Sequence, residues 1–415
     1  MDGSLLRTDD AGQLSAVHGV TLDHLRLGWR PVVARDRRVL GVRIEIRTTP
    51  STDEAPLTST VGAVIAALAD QTISRARGIV VLAPTSLSLT ADLDTIGEWS
   101  RKANVMLEIG AEALTTRQLP LIEAAHQNGL KFVLRKSAHP LPRDTQRLFA
   151  AVVDAESGQS HDGEPALWVR DVHTRADVES ALAHGAQATI GWPLDEPMVE
   201  PSAGLEPTRR AVLDIVRLIQ GDADVIALER AFKNEPSLAL MLLSVINGPA
   251  FAPSAALTAP ITSLRHAILV LGYKRLVRWL VLLLGVSSAN TRSMPLIYMA
   301  VQRGFFLEAL ANPLLKQTGG MRDDLFVVGA FSLLQQITGH SHERLFASAV
   351  LPRPVLDAVR AHEGAYGVYL ALAEVIERGD TVGSERAAQL VGVSMGEINA
   401  ALLSSLAAAD AITMN

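Results

Sequence analysis

The stretch Trp29–Arg47, WRPVVARDRRVLGVRIEIR, decides how the first half of the chain reads. Arg30–Ala34 and Val39–Arg47 read as strands, rich in the β-branched residues that pack well on a pleated surface, with Arg35–Arg38 as the turn between them. Side chains of a strand alternate between its faces, so Arg43 and Glu45 share one. Working outward, short apolar runs alternate with helical segments. Leu57–Ile73 is an amphipathic helix, Gly78–Ala83 a strand, and a helix follows near Leu93–Lys102. Val105–Ile109 is a strand, Thr116–Asn128 a helix closed by Gly129, and Leu130–Leu134 a strand. Phe149–Val153, Ala166–Val169 and Ala188–Ile190 complete the series, with helix Arg175–His184 before the last. Strands alternating with helices imply parallel pairing in a sheet buried on both faces. Seven or eight in sequence point to a (β/α) barrel, with a doubly wound α/β sheet as the alternative. No G-x-G-x-x-G or P-loop follows any strand, so nothing favours a nucleotide-binding glycine loop.

A chain of 415 residues is too long for one ordinary domain, and an apolar content of 48% is ample for two cores. The net charge of −6 is mild, and no basic block marks a nucleic-acid surface. Zero cysteines exclude disulfides, thiolate metal sites and cysteine nucleophiles, and fit a soluble protein in a reducing cytoplasm. Residues 1–27 read as a polar leader without a signal-peptide profile. The barrel is expected over 28–193. A linker, 194–207, dense in Pro and acidic residues, leads to a helical domain over 208–415.

Glu235–Val286 forms the apolar heart of that second half. Leu238, Leu242, Val245 and Ile246 fall at helical spacing before Asn247-Gly248-Pro249 stops the helix. A second helix starts at Thr262 or Ser263 and is interrupted at Gly272; a third, Lys274–Leu284, is apolar nearly all round. Lys274, Arg275 and Arg278 break the longest apolar run, which makes it a buried helical pair and not a membrane span. Arg303 is expected to anchor its helix to a neighbour through an ion pair. His161-Asp162 lies in a polar loop, and His340 and His342 lack a carboxylate at metal-ligand spacing. Arg386–Leu406 has helix-turn-helix spacing, yet Met395–Leu406 offers only Glu397 and Asn399, with no Lys or Arg for phosphates. A helical hairpin packed on the bundle is the expected reading.

Arg30–Arg35 through Gly41–Arg47 resembles the opening of EAL domains, the barrels that hydrolyse cyclic di-GMP. Matching Gly41 and Arg47 to that family's glycine-led motif strand places Arg43 where its metal-binding glutamate stands; a two-residue slide onto Glu45 is the alternative register. Leu107-Glu108-Ile109-Gly110 resembles the strand that supplies a second metal-binding glutamate, here retained as Glu108. Arg135-Lys136-Ser137 takes the place of adjacent aspartates, and Val152-Val153-Asp154 that of a Lys-Ile-Asp strand. Val169-Arg170-Asp171-Val172-His173-Thr174 replaces a strand bearing two glutamates. Farther on, Glu235-Pro236-Ser237-Leu238, Val245–Gly248, Ile261–Ala267 and Leu271-Gly272 resemble the HDOD domain, a helical module without the metal residues of HD phosphohydrolases. The resemblance implies a degenerate EAL-type (β/α) TIM-like barrel followed by an α-helical HDOD domain.

A two-metal phosphodiesterase needs several carboxylates converging at the strand C-termini, and a cation in their place repels the ions. With three positions cationic, no catalytic residue, metal or cofactor is expected. The resemblance implies a signalling protein acting through protein partners, or a second copy of itself, without nucleic acid. The candidate ligand-binding residues of the disused mouth are Arg43, Glu108, Arg135, Lys136, Asp154 and Arg170. Binding of cyclic di-GMP or another nucleotide there without hydrolysis is the alternative, since arginine suits phosphate.

Overall fold

The computed structural model describes residues 21–48, 57–70, 78–84, 104–136, 143–155, 165–197, 207–234, 238, 239, 242, 246, 261, 263–286, 293–311, 320–346 and 352–413. The helix expected near 93–102, the His161-Asp162 pair and the Asn247-Gly248-Pro249 stop lie outside these residues.

Strands β1 (Leu25–Ala34), β2 (Val39–Thr48), β3 (Ile79–Pro84), β4 (Val105–Gly110), β5 (Lys131–Arg135), β6 (Phe149–Asp154), β7 (Ala166–Arg170) and β8 (Ala188–Ile190) close into one barrel in chain order. Helices α1 (Leu57–Asp70), α2 (Leu119–Gln127) and α3 (Arg175–Ala183) lie between strands. Closure decides for the barrel over the doubly wound sheet. β1 begins at Leu25, inside the segment read as leader.

Parallel pairing holds from β2 to β8, whereas β1 runs antiparallel to both β2 and β8. This corrects the expectation of parallel pairing throughout. The cause is the short turn: Ala34 N–H donates to Arg38 O at 2.8 Å, and a connection this tight joins only antiparallel strands. Gly41 follows, with φ 157°, where a Cβ would lie 1.9 Å from Ile79 O on β3. Only glycine permits that approach.

Alternation sorts the side chains. Val32, Val81, Met106, Val133, Val153, Trp168 and Ile190 form an inner cluster, while Val42, Ile44, Leu82, Leu107, Phe132 and Leu134 join the larger core outside. The inward series continues toward the C-terminal mouth with charged residues, described below.

The second half is helical: α4 (Pro207–Gln220), α5 (Val225–Lys233), α6 (Leu264–Val286), α7 (Met294–Leu310), α8 (Gly320–Phe331), α9 (Arg353–Ala361), α10 (Gly364–Arg378), α11 (Thr381–Val391) and α12 (Met395–Thr413). Gly272, at φ 72° and ψ 157°, breaks α6 where the sequence placed an interruption. Helices α7 and α8 touch through glycine: a Cβ on Gly329 would lie 2.6 Å from Arg303 O. No single helix among the described residues is long and apolar enough to cross a membrane.

The halves share one apolar core, with β1 between them. Trp29 packs on Tyr298 of α7 with ring centroids 6.1 Å apart. Asn399 of α12, fully buried, donates to Leu22 O at 2.8 Å and Leu25 O at 2.9 Å. Asn399 is thus engaged with the barrel's first strand and is not presented to a base edge.

Candidate functional site

The C-terminal mouth of the barrel gathers arginines and carboxylates from four strands. Arg43 and Glu45 share the inward face of β2, as the period of two requires. Glu108 stands on β4, Arg135 ends β5 and Arg170 ends β7.

Arg43 is 6% exposed and Glu108 is 1% exposed. They form a two-point ion pair, with Arg43 Nε donating to Glu108 Oε2 at 2.6 Å and Nη2 to Oε1 at 2.8 Å. The remaining Arg43 nitrogen, Nη1, donates to Glu45 Oε1 at 3.1 Å. Burial alone would lower the Arg43 pKa; the hydrogen bonds and charges of Glu108 and Glu45 outweigh it and hold the guanidinium protonated. Glu45 also accepts from Arg47 Nη2 at 3.2 Å. Against the burial that would raise it, the Arg43 charge and hydrogen bond hold the Glu45 carboxyl below the usual carboxylate range.

Arg135 Nη1 stands 3.6 Å from Glu108 Oε1, and its Nη2 donates to Glu112 Oε1 at 2.9 Å from the short turn after β4. Arg43, Glu108 and Arg135 are therefore brought together. Lys136 and Asp154 instead pair with each other at 2.7 Å, and Arg170 pairs with its neighbour Asp171. Arg170 does line the same cavity as Arg43, about 50 Å³ in volume, together with Arg30, Glu45, Asp171, Glu377 and Gly379.

Arg30, Glu112, Glu377 and Gly379 were not among the sequence candidates. Arg30 sits opposite Arg43 in the β1–β2 register. Its guanidinium donates to Arg378 O at 3.3 Å, and burial lowers its pKa despite nearby Glu45, Glu377 and Asp171. Glu377 belongs to the helical half, where it forms the ion pair expected of Arg303: Nε to Oε1 at 2.9 Å and Nη2 to Oε2 at 2.5 Å. Ser332 accepts the third Arg303 bond at 2.6 Å.

Do these residues fit the two divalent ions that an EAL-like barrel implies? They do not. Both oxygens of Glu108 accept from the Arg43 guanidinium, Glu45 faces Arg43 and Arg47, and Asp154 and Asp171 face Lys136 and Arg170. Among the described residues no group of three or more His, Asp or Glu side chains is placed to hold a metal ion. On the helical side His362 Nε2 meets Glu374 Oε1 at 2.9 Å, and Glu374 also faces Arg378 at 3.7 Å and Arg303 at 4.0 Å.

No family model matches the chain. It is 24% identical over 233 residues to the cyclic di-GMP phosphodiesterase CdgJ of Vibrio cholerae, a match covering 56% of this chain and 52% of that protein. The match thus spans about half the length of this curated relative. Among solved structures, the PaMucR phosphodiesterase in complex with c-di-GMP is similar at a TM-score of 0.31 and 16% identity, over 42% of this chain and 97% of that one. The EAL-like domain protein YdiV is similar at a TM-score of 0.31 and 12% identity, over 42% and 94%. With the motifs around Gly41–Arg47 and Glu108, the sequence match to CdgJ supports an EAL-like domain in this chain.

Proposed function

We propose that this chain is a non-hydrolysing cytoplasmic signalling protein, in which a degenerate EAL-like barrel and an HDOD-like helical half act through protein partners. The observation that carries this reading is Arg43 bound at two points to Glu108, in the position the motif resemblance gives to a metal-binding glutamate. A metal-activated water needs a cluster of uncommitted carboxylates, and here the retained one is neutralised by a buried cation. The cavity beneath the helical half, about 50 Å³, is also far below the several hundred cubic ångströms typical of a small-molecule site. Similarity to the cyclic di-GMP phosphodiesterase CdgJ supports a role in that kind of signalling, with regulation replacing turnover.

The test is incubation of the full chain with cyclic di-GMP and Mg²⁺ or Mn²⁺. No linear dinucleotide is expected, and its appearance overturns the proposal. Calorimetric titration with the same nucleotide is expected to show no micromolar binding; binding without turnover would move the reading to that of a sensor. Affinity capture then identifies the partner.

A further inference from the structure

We propose that a second cavity, in the helical half between α4, α6 and α8, is a binding site for a small organic cation, an amine or amidine carried on an apolar body. Its volume is about 340 Å³, within the range of small-molecule sites, where the barrel mouth offers about 50 Å³. The two cavities share no lining residue. The site therefore stands apart from the function proposed above, and neither depends on the other.

The break in α6 at Gly272 borders this cavity. A Cβ on Gly272 would meet nothing within 4 Å, so glycine serves there for its φ of 72° and not for close packing. The residues just past the break, Tyr273, Lys274 and Val277, line one side. Val277 joins Ile219 of α4 and Phe326 and Val327 of α8 in an apolar lining, all four side chains being buried. Tyr273 Oη donates to Ala223 O at 3.0 Å, which ties the turn after α4 to α6. That turn is itself closed by Gly221 N–H to Arg217 O and Ala223 N–H to Leu218 O, both at 2.9 Å. Asp222, at φ 52°, is thereby held on the rim.

Charge selects the occupant. Two carboxylates, Asp222 and Asp324, stand against one ammonium, Lys274, which leaves the rim at −1. Asp324 accepts from Tyr366 Oη of α10 at 3.0 Å. Burial and the Asp324 charge push that hydroxyl up to about 12, so it stays the donor and Asp324 the charged acceptor. An anion would meet two carboxylates, and a purely apolar molecule would strip them of water without compensation. A monocation with an apolar body neutralises the rim and covers the lining together. Tyr273 and Phe326 supply aromatic rings, whose faces attract organic cations.

Benzamidine, a flat aromatic amidinium, is the probe, titrated into the full chain and followed by ligand-observed NMR. Neutral benzamide and anionic benzoate serve as matched shapes. Benzamidine is expected to bind with a Kd of about 1 mM, benzamide more weakly and benzoate most weakly. Two substitutions then move the benzamidine affinity in opposite directions. Asp222→Asn removes a rim charge at a left-handed position that asparagine tolerates, and is expected to weaken binding roughly two- to fivefold. Lys274→Met removes the opposing cation from an exposed helical position and is expected to tighten binding by a similar factor. Both variants are expected to melt like the parent. Benzamidine that fails to bind at about 10 mM overturns the proposal, as do three probes that bind alike. So does an affinity that either substitution leaves unchanged or moves the other way. Hydrolysis of cyclic di-GMP, which would defeat the function proposed above, leaves this titration unaffected.

Discussion

Replacing Arg43 by methionine puts the neutralised mouth to its strictest test. In the parent, the Arg43 side chain is 8% exposed and that of Glu108 1%, so the pair is effectively out of water. Removing one member of a buried ion pair strands the other charge, which costs about 3–5 kcal/mol. Arg135 Nη1, 3.6 Å from Glu108 Oε1, takes over part of the compensation, and Glu45 keeps Arg47 at 3.2 Å. The expected loss for Arg43→Met therefore falls at the low end, about 3 kcal/mol. Arg43→Met with Glu108→Leu removes both charges and fills the space with apolar atoms. This double variant is expected to return to within about 1 kcal/mol of the parent. The assay is the urea transition followed by tryptophan fluorescence, Trp29 and Trp168 both being buried in or against the barrel, with linear extrapolation to water. A single variant costing less than about 1 kcal/mol would refute the pairing. So would a double variant as unstable as the single.

Three further outcomes follow from other contacts. Burial pushes the Asp410 carboxyl up to about 6, from 3.8, against the opposing hydrogen bond from Tyr298. Between those values the folded state holds a proton that the unfolded state has released, so stability falls as pH rises from about 4 through 6. At about 1.4 kcal/mol per unit this is worth about 2–3 kcal/mol. Asp410→Asn, which still accepts from Tyr298 Oη, is expected to flatten urea stability over that range; an unchanged slope counts against it. Asn399→Ala removes the amide donor from Leu22 O and from Leu25 O, the latter keeping Arg26 Nη1 at 3.0 Å, and is expected to cost about 1–2 kcal/mol, with faster proteolysis ahead of β1 as the second readout. Gly329→Ala drives a methyl against Arg303 O at 2.6 Å and is expected to lose about 1–3 kcal/mol, read from the melting temperature.

The strands were legible because each is a β-branched run with a turn or helix on either side, and those boundaries agree with the structure to within a few residues. β1 is the exception at its start: Leu25–Gly28 mixes Leu with Arg and Gly, and its strand character comes from pairing with Arg47, Thr48 and α12. Its direction was readable in principle from the length of Arg35–Arg38, a turn too short for a parallel crossover. At the mouth, residue types carried the chemical message and pairings did not. Arg43 and Glu108 are 65 residues apart, and Arg303 and Glu377 are 74 apart. Glu112 gave no signal beyond being charged, and Arg30, although it opens the stretch that resembles an EAL domain, was given no role at the mouth by that resemblance.

Local chemistry in the chain determined the alternation of strands and helices, the break at Gly272 and the mixture of arginines and carboxylates that ends the strands at the barrel mouth. These follow from backbone preference, side-chain period and charge, which neighbouring residues suffice to set. Tertiary structure alone decided which carboxylate each arginine meets, that β1 is shared between the halves, and that Glu377 and Gly379 line the mouth. Those outcomes depend on how strands stagger as the barrel closes and on which helix the shared core draws against β1. Both are set by contacts between residues far apart in the chain.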